Sequence, residues 1–132
     1  MIDLVGRTAL VTGAGGGIGL GIARVLAQAG ERVAINDIDA DAAEQAAIEI
    51  GNDSFGLGGD VSDEFEARGI VARTNELSGR CDFLINNAGI APALLPIDSQ
   101  DIIEWQRVMD VNLRGAFIMS QAAAKLMRDV DV

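Results

Sequence analysis

Four short runs rich in strand-forming residues recur along this 132-residue chain, at Thr8 to Thr12, Arg32 to Asn36, Ser54 to Gly59 and Asp82 to Asn86, each followed by a stretch long enough for a helix. Strands joined through helices run parallel, because each crossover returns the chain to the end from which it started. The alternation predicts an α/β fold, a doubly wound parallel sheet with helices on both faces. Helix punctuation agrees: Gly30, Gly51 and Gly79 fall where three helices should stop, and Asp39 and Ser62 stand where two should start. The third run is the least strand-like, because Gly56, Gly58 and Gly59 dilute its propensity.

After Asn86-Asn87-Ala88-Gly89 comes a loop with Pro92 and Pro96, then a segment from about Asp98 to Arg128 that reads as one helix or two in succession. Val111, Leu113, Phe117, Ile118, Ala122, Ala123, Ala124 and Met127 leave it almost no wide polar face, which predicts burial on several sides or at a subunit interface. The alternation calls for a fifth strand around Val130-Asp131-Val132, so the expectation is a sheet truncated after about four strands and the following long helix. Right-handed crossovers would leave the fourth strand on a bare edge, with Phe83-Leu84-Ile85 unprotected.

One domain over residues 1–132 is the expectation from length. An apolar content of 49% is high for a solitary small domain and predicts that more protein covers part of the surface. Ten basic residues against 20 acidic ones give a charge of -10, which repels nucleic acid and anionic lipid alike. Cys81 stands alone and histidine is absent, so neither an intrachain disulfide nor a metal site is expected. With no signal pattern at the N-terminus and no apolar run of membrane-spanning length, a cytoplasmic protein without membrane partners is the expectation.

The first strand runs into Thr12-Gly13-Ala14-Gly15-Gly16-Gly17-Ile18-Gly19 and then a helix. Such glycines let the backbone turn sharply and approach a pyrophosphate, whose charge is stabilised by the free N–H groups at the helix start. The strict Gly-x-Gly-x-x-Gly pattern is met in no register, and no Lys-Ser/Thr follows as a P-loop would require. A glycine-rich turn that only packs helix on strand is the plainer alternative. Asp37 ends the second run, where a carboxylate in a Rossmann-type domain accepts from adenosine ribose hydroxyls and repels a 2′-phosphate. No Arg or Lys lies in the glycine loop or directly after Asp37, so NAD is expected over NADP. Asp37 as a turn acid or helix cap, with Asp39 as its rival, stays open. Asp60-Val61 and Asn86-Asn87-Ala88-Gly89 follow the third and fourth runs, at the strand ends where open α/β sheets bind ligands, and taken alone they read equally as cap and turn formers.

Taken together, Thr12-Gly13-x-x-x-Gly17-x-Gly19, Asp37, Asp60-Val61, Asn86-Asn87-Ala88-Gly89 and Asn112 resemble, in order and spacing, the amino-terminal half of the short-chain dehydrogenase/reductase family. The resemblance implies that Gly13, Gly17 and Gly19 line a pyrophosphate, with Ile18 among the cofactor contacts, that Asp37 binds the adenosine ribose, and that Asp60 and Val61 touch adenine. It carries Asn87, Ala88 and Gly89 over as cofactor contacts, leaves Asn86 more structural, and matches Asn112 to a catalytic asparagine whose main-chain carbonyl holds a water in a proton relay. Family catalysis also uses a Ser, a Tyr and a Lys four residues after the Tyr, placed beyond the fifth strand. This sequence has no Tyr; its only lysine, Lys125, and its Ser99 and Ser120 come too early, so Lys125 reads as a snorkelling helix lysine.

The leading reading is the NAD-binding half of an oxidoreductase that moves hydride between nicotinamide and a secondary alcohol or ketone, inactive as this chain alone. The resemblance further implies a homo-oligomer. A non-catalytic NAD-binding or protein-interaction module is the alternative, and an S-adenosylmethionine methyltransferase core, which also pairs a glycine loop with an acid after strand two, is a third reading disfavoured by the NNAG run and Asn112.

Overall fold

The computed structural model describes residues 3–128. The expected strand around Val130 to Val132 and the first two residues of the N-terminus lie outside them. Four parallel strands form, β1 (Thr8–Val11), β2 (Arg32–Asp37), β3 (Phe55–Gly58) and β4 (Phe83–Ile85), in the spatial order β3-β2-β1-β4. The helices α1 (Gly17–Gln28), α2 (Ala40–Ile50) and α3 (Glu64–Ser78) cross between successive strands, and α4 (Ile102–Met109) and α5 (Ala116–Arg128) follow β4. The expected doubly wound sheet is therefore present.

Side-chain alternation along the strands divides the core into two layers. Val11, Val33 and Ile35 face Ala14, Ala23, Ala43, Ala46 and Ala47, the small residues of α1 and α2 and the turn before α1. Leu10 and Ala34 point to the other face, where Ile70 and Val71 of α3 and Ile118, Met119 and Ala123 of α5 close over them. The glycines that make the third run look weak are what let it form here. A Cβ at Gly56 would lie 2.5 Å from the Glu44 nitrogen, so β3 packs directly against the backbone of α2 only without a side chain there.

Helix boundaries follow the punctuation with two differences. Asp39 caps α2 as expected, its carboxylate accepting from the N–H groups of Asp41 and Ala42. The cap of α3 is Asp63, not Ser62, because the Ser62 N–H and hydroxyl both donate to Asp60 Oδ1 and hold that residue in the preceding turn. The segment expected to be helical from about Asp98 begins with a single 3₁₀ turn at Ile97–Ser99, and the regular helix starts only at Ile102, where Asp101 caps it. Between α4 and α5 the helix continues through a π turn at Asp110–Gly115. The long segment is not buried on several sides in the single chain: α5 buries Ile118, Met119 and Ala123, while Leu113 and Phe117 are 61% and 65% exposed. Among the described residues β4 is paired only with β1 and forms the edge of the sheet, as the crossover rule predicts.

The amino ends of the strands hold an ionic cluster. Asp82 accepts from the Thr8 N–H at 2.9 Å and from the Arg80 guanidinium, with Arg7 beside it. Burial works against the charge, yet the bonds from Arg80 and Thr8 and the two guanidinium charges hold its carboxyl below the ordinary range. Glu31, next to this cluster, is fully buried, and neither of its carboxylate oxygens has a hydrogen-bond partner among the described residues. Burial first, and then the charge of Asp82, push its carboxyl from an ordinary 4.5 up to about 7 against a smaller pull from Arg7. A native state that keeps a proton the unfolded chain has lost is destabilised as pH rises between those two values, and the loss is complete above about 7. Glu31→Gln, which is neutral at every pH, should abolish that decline and raise the melting temperature at pH 8 by roughly 4 °C or more. Thermal melts across pH 5 to 8 check this; parallel profiles for the two proteins would count against an ionising Glu31.

Candidate functional site

All four strands point their carboxyl ends toward the same rim, where the loops that follow them, together with α4 and the start of the π turn, line an open cavity of about 820 Å³. That volume lies within the range of small-molecule and cofactor pockets. Of the residues expected at a site, Gly13, Asp37, Asp60, Val61, Asn87, Ala88 and Gly89 line this cavity. Gly17, Ile18, Gly19 and Asn112 do not line it; the first three form the start of α1 at the glycine loop, and Asn112 sits in the π turn behind Gly89.

Thr12 ties the loops together. Its buried hydroxyl accepts from the N–H of Asn87 at 3.1 Å and of Ala88 at 3.0 Å, and donates to the Ile85 carbonyl at 3.4 Å. The Asn87 side-chain amide donates back across the gap to the carbonyls of Thr12 and Gly13, both at 3.0 Å. Asn87 thus spends its amide on the glycine loop, whereas Asn86 faces the other way and donates to the Ser120 hydroxyl at 2.9 Å. So close is this seam that a Cβ at Gly13 would stand 2.7 Å from the Ala88 Cα, and one at Gly19 2.5 Å from the Asn87 amide nitrogen. The sequence motif includes Thr12 but offers no role for it; the signal was a hydroxyl residue directly after a strand, at the carboxyl-end rim.

The start of α1 differs from the other helices that begin in a loop. Asp39, Asp63 and Asp101 cap α2, α3 and α4 with carboxylates, while α1 has Gly16 at its cap position, with no side-chain cap and no acid in its first turn. Its first N–H groups and the positive end of its dipole are left for another anion. The carboxylate of Asp37 stands beside this start, accepting from the Gly15 N–H at 3.0 Å and from the Asp39 N–H at 3.0 Å.

The opposite wall is braced from outside the rim. Asp60 donates its N–H to Glu66 of α3 at 2.7 Å, and Arg114 of the π turn donates to the Ser62 carbonyl at 2.6 Å. Val61 is buried against Gly115 of the same turn. The Asn112 amide clamps Ile90 at both main-chain groups, accepting from its N–H and donating to its carbonyl, each at 2.8 Å. One π turn therefore fixes the loops after β3 and β4 together, in keeping with the concentration of such turns at functional sites. Neither Glu66 nor Arg114 was legible as a site residue, because each acts on main-chain atoms, which leave no side-chain pattern to read: Glu66 on the Asp60 N–H and Arg114 on the distant Ser62 carbonyl. Among the described residues no group of three or more metal-ligating side chains converges, and no helix is long and apolar enough to cross a membrane.

A family model described as short chain dehydrogenase matches residues 7–131. D-threitol dehydrogenase from Mycolicibacterium smegmatis is 38% identical over 94% of this chain and 48% of its own length. L-rhamnose 1-dehydrogenase (NAD(P)(+)) from a Sphingomonas species is 40% identical over 94% of this chain and 50% of its own. Among solved structures, that of 3-ketoacyl-(acyl-carrier-protein) reductase from Brucella melitensis complexed with NADH matches with a TM-score of 0.91 and 35% identity, over 94% of this chain and 51% of that one. The chain spans about half the length of these relatives.

Replacing Thr12 by the isosteric valine would leave the half-buried Ala88 N–H without its acceptor, a loss of about 1 kcal/mol. Urea denaturation should show Thr12→Val destabilised by that amount and Thr12→Ser close to the parent. A valine variant as stable as the parent would mean that the hydroxyl does not hold the two loops.

Proposed function

The chain belongs to the short-chain dehydrogenase family, and from that membership we propose that its strand-end cavity takes NAD(H) in an oxidoreductase acting on a secondary alcohol or ketone. The observation that carries the choice of cofactor is the pairing, on one rim, of a helix start left without a cap and the Asp37 carboxylate beside it. The first accepts a pyrophosphate, and the second accepts hydroxyl hydrogens from a ribose and repels a phosphate. Each Asp37 oxygen uses one main-chain N–H and keeps acceptor capacity for a ribose hydroxyl. The name of the Sphingomonas relative admits both nicotinamide cofactors, so the preference for NAD rests on this chain's own residues.

In this reading Gly13, Gly17, Ile18 and Gly19 face the pyrophosphate, Asp60 and Val61 wall the adenine, and Asn87, Ala88 and Gly89 border the remaining half of the cofactor. When bound, the nicotinamide supplies the hydride acceptor or donor. Asn112 keeps its side chain on Ile90 and offers its main-chain carbonyl to a water that relays protons. The set supplies binding, orientation and a dry wall; it holds no tyrosine to pass a proton to substrate. We therefore expect cofactor binding without turnover from the 132-residue chain alone. A cytoplasmic location belongs to the same reading, as does homo-oligomerisation through the segment running from α4 through the π turn into α5, which exposes Trp105, Leu113 and Phe117.

Titration followed by nicotinamide fluorescence tests the assignment. NADH should bind more tightly than NADPH, and Asp37→Ala should cost NADH roughly tenfold or more in affinity while sparing NADPH, as expected for losing hydrogen bonds to a charged acceptor. Equal affinities for the two cofactors in the parent chain would refute the NAD preference. Dehydrogenase turnover by the pure chain would refute the division of labour.

A further inference from the structure

Asp37 is held by main chain at both carboxylate oxygens. Oδ2 accepts from the Gly15 N–H in the phosphate loop and Oδ1 from the Asp39 N–H at the entrance to α2, each at 3.0 Å. Turning the carboxylate away would break both bonds. The loop residue that supplies the first of them also leaves the room for it: a Cβ at Gly15 would lie 2.8 Å from Asp37 Oδ2, 2.9 Å from its Cγ and 2.9 Å from the Ala42 Cβ. Ala42 cannot retreat cheaply, because it stands in the first turn of α2 with its N–H bonded to the Asp39 cap at 3.1 Å. The flexible end of the crowd is the Asp37 side chain. Gly15 is not among the glycines with positive φ, so what excludes a side chain at this position is the carboxylate and its neighbour rather than the backbone conformation.

We propose that Gly15 is a positioning residue for cofactor choice: its N–H and its missing side chain fix the Asp37 carboxylate where the adenosine ribose must meet it. The proposal rests on the NAD(H) reading above. A charge so placed accepts from the ribose hydroxyls without having to be ordered first, and a 2′-phosphate arriving there meets an anion that can withdraw only by breaking both of those bonds. Discrimination between the two cofactors then belongs to the pair, glycine and aspartate, and not to the aspartate alone. It also follows that the Gly15 N–H is already spent on Asp37, which leaves the pyrophosphate to the N–H groups at the start of α1.

NADH and NADPH titrations of the parent chain, Gly15→Ala and Asp37→Asn decide the matter through the ratio of the two affinities, which general damage to the pocket would leave unchanged. Gly15→Ala should lose roughly tenfold or more in NADH affinity while NADPH affinity holds or rises, about the effect of one charge-assisted hydrogen bond. A proportional loss for both cofactors, or an unchanged ratio, overturns the proposal. Asp37→Asn separates the two layers of the argument: if it keeps the parent ratio, the ribose role of Asp37 fails and Gly15 with it, whereas a collapsed ratio in Asp37→Asn beside a parental ratio in Gly15→Ala removes Gly15 alone. Should Gly15→Ala fail to fold, amide hydrogen exchange reads the same contact. The Gly15 N–H should exchange more slowly in the parent than in Asp37→Ala, and equal rates overturn the proposal.

Discussion

Every feature of the rim depends on the parallel crossover. Because each strand is re-entered from the same end, the residues that follow β1, β2, β3 and β4 are delivered to one edge of the sheet although they are far apart in sequence. The glycine loop, Asp37, Asp60 and the Asn87 segment meet for that reason and for no local one. Convergence alone would leave four loops with independent freedom. The Thr12 hydroxyl and the Asn87 amide join the first loop to the fourth, Gly15 joins the first to the second through Asp37, and the π turn joins the third to the fourth through Arg114 and Asn112. The Gly59 N–H donates to the Asp37 carbonyl and the Asn36 amide to the Gly59 carbonyl, joining the second loop to the third, so the rim is a closed circuit of hydrogen bonds, most of them ending on main-chain atoms.

That circuit explains which parts of the molecule the sequence made legible. Strand positions, three of the helix stops and the Asp39 cap come from local preferences, so they were readable, as was the edge position of β4, which follows from chirality. Asp37 and the NNAG run were readable because they sit at fixed offsets from those elements. Thr12 was visible as a motif member without a role, and Glu66 and Arg114 were not visible at all, since a side chain that bonds the main chain of a loop, Glu66 at the Asp60 N–H and Arg114 at the Ser62 carbonyl, leaves no periodic trace. The shift from Ser62 to Asp63 at the start of α3 has the same origin: several acids and a serine compete over a few residues, and only the Asx turn at Asp60 decides which is left to cap the helix. The glycines of β3 misled in the opposite direction, lowering strand propensity while permitting the close contact with α2 that holds the strand in place.

The two ends of the sheet spend charge differently. At the ligand end, carboxylates are paired with N–H groups and keep lone pairs to offer. At the other end, Asp82 gathers two guanidinium groups and a main-chain N–H, and Glu31 lies buried beside it without a hydrogen-bond partner among the described residues. Buried Cys81 shares that environment; burial, with the charges of Asp82 and Glu31, pushes its thiol up to about 11 and keeps it unreactive. The acid content that gives the molecule its overall charge is thus not spread evenly through the structure, and its least comfortable member stands at the sheet end remote from the cavity.

The edge that β4 forms bears on how the sheet can be extended. Both core layers are complete within residues 3–128, and the hydrogen bonds of the rim close without any later strand. Residues 3–128 therefore form the rim and the layers beneath it by themselves, and present a strand edge flanked by Ala123, Ala124 and Met127. A strand that docked on that edge would meet main-chain donors and acceptors already in place, so the sheet could be extended without rearranging the rim.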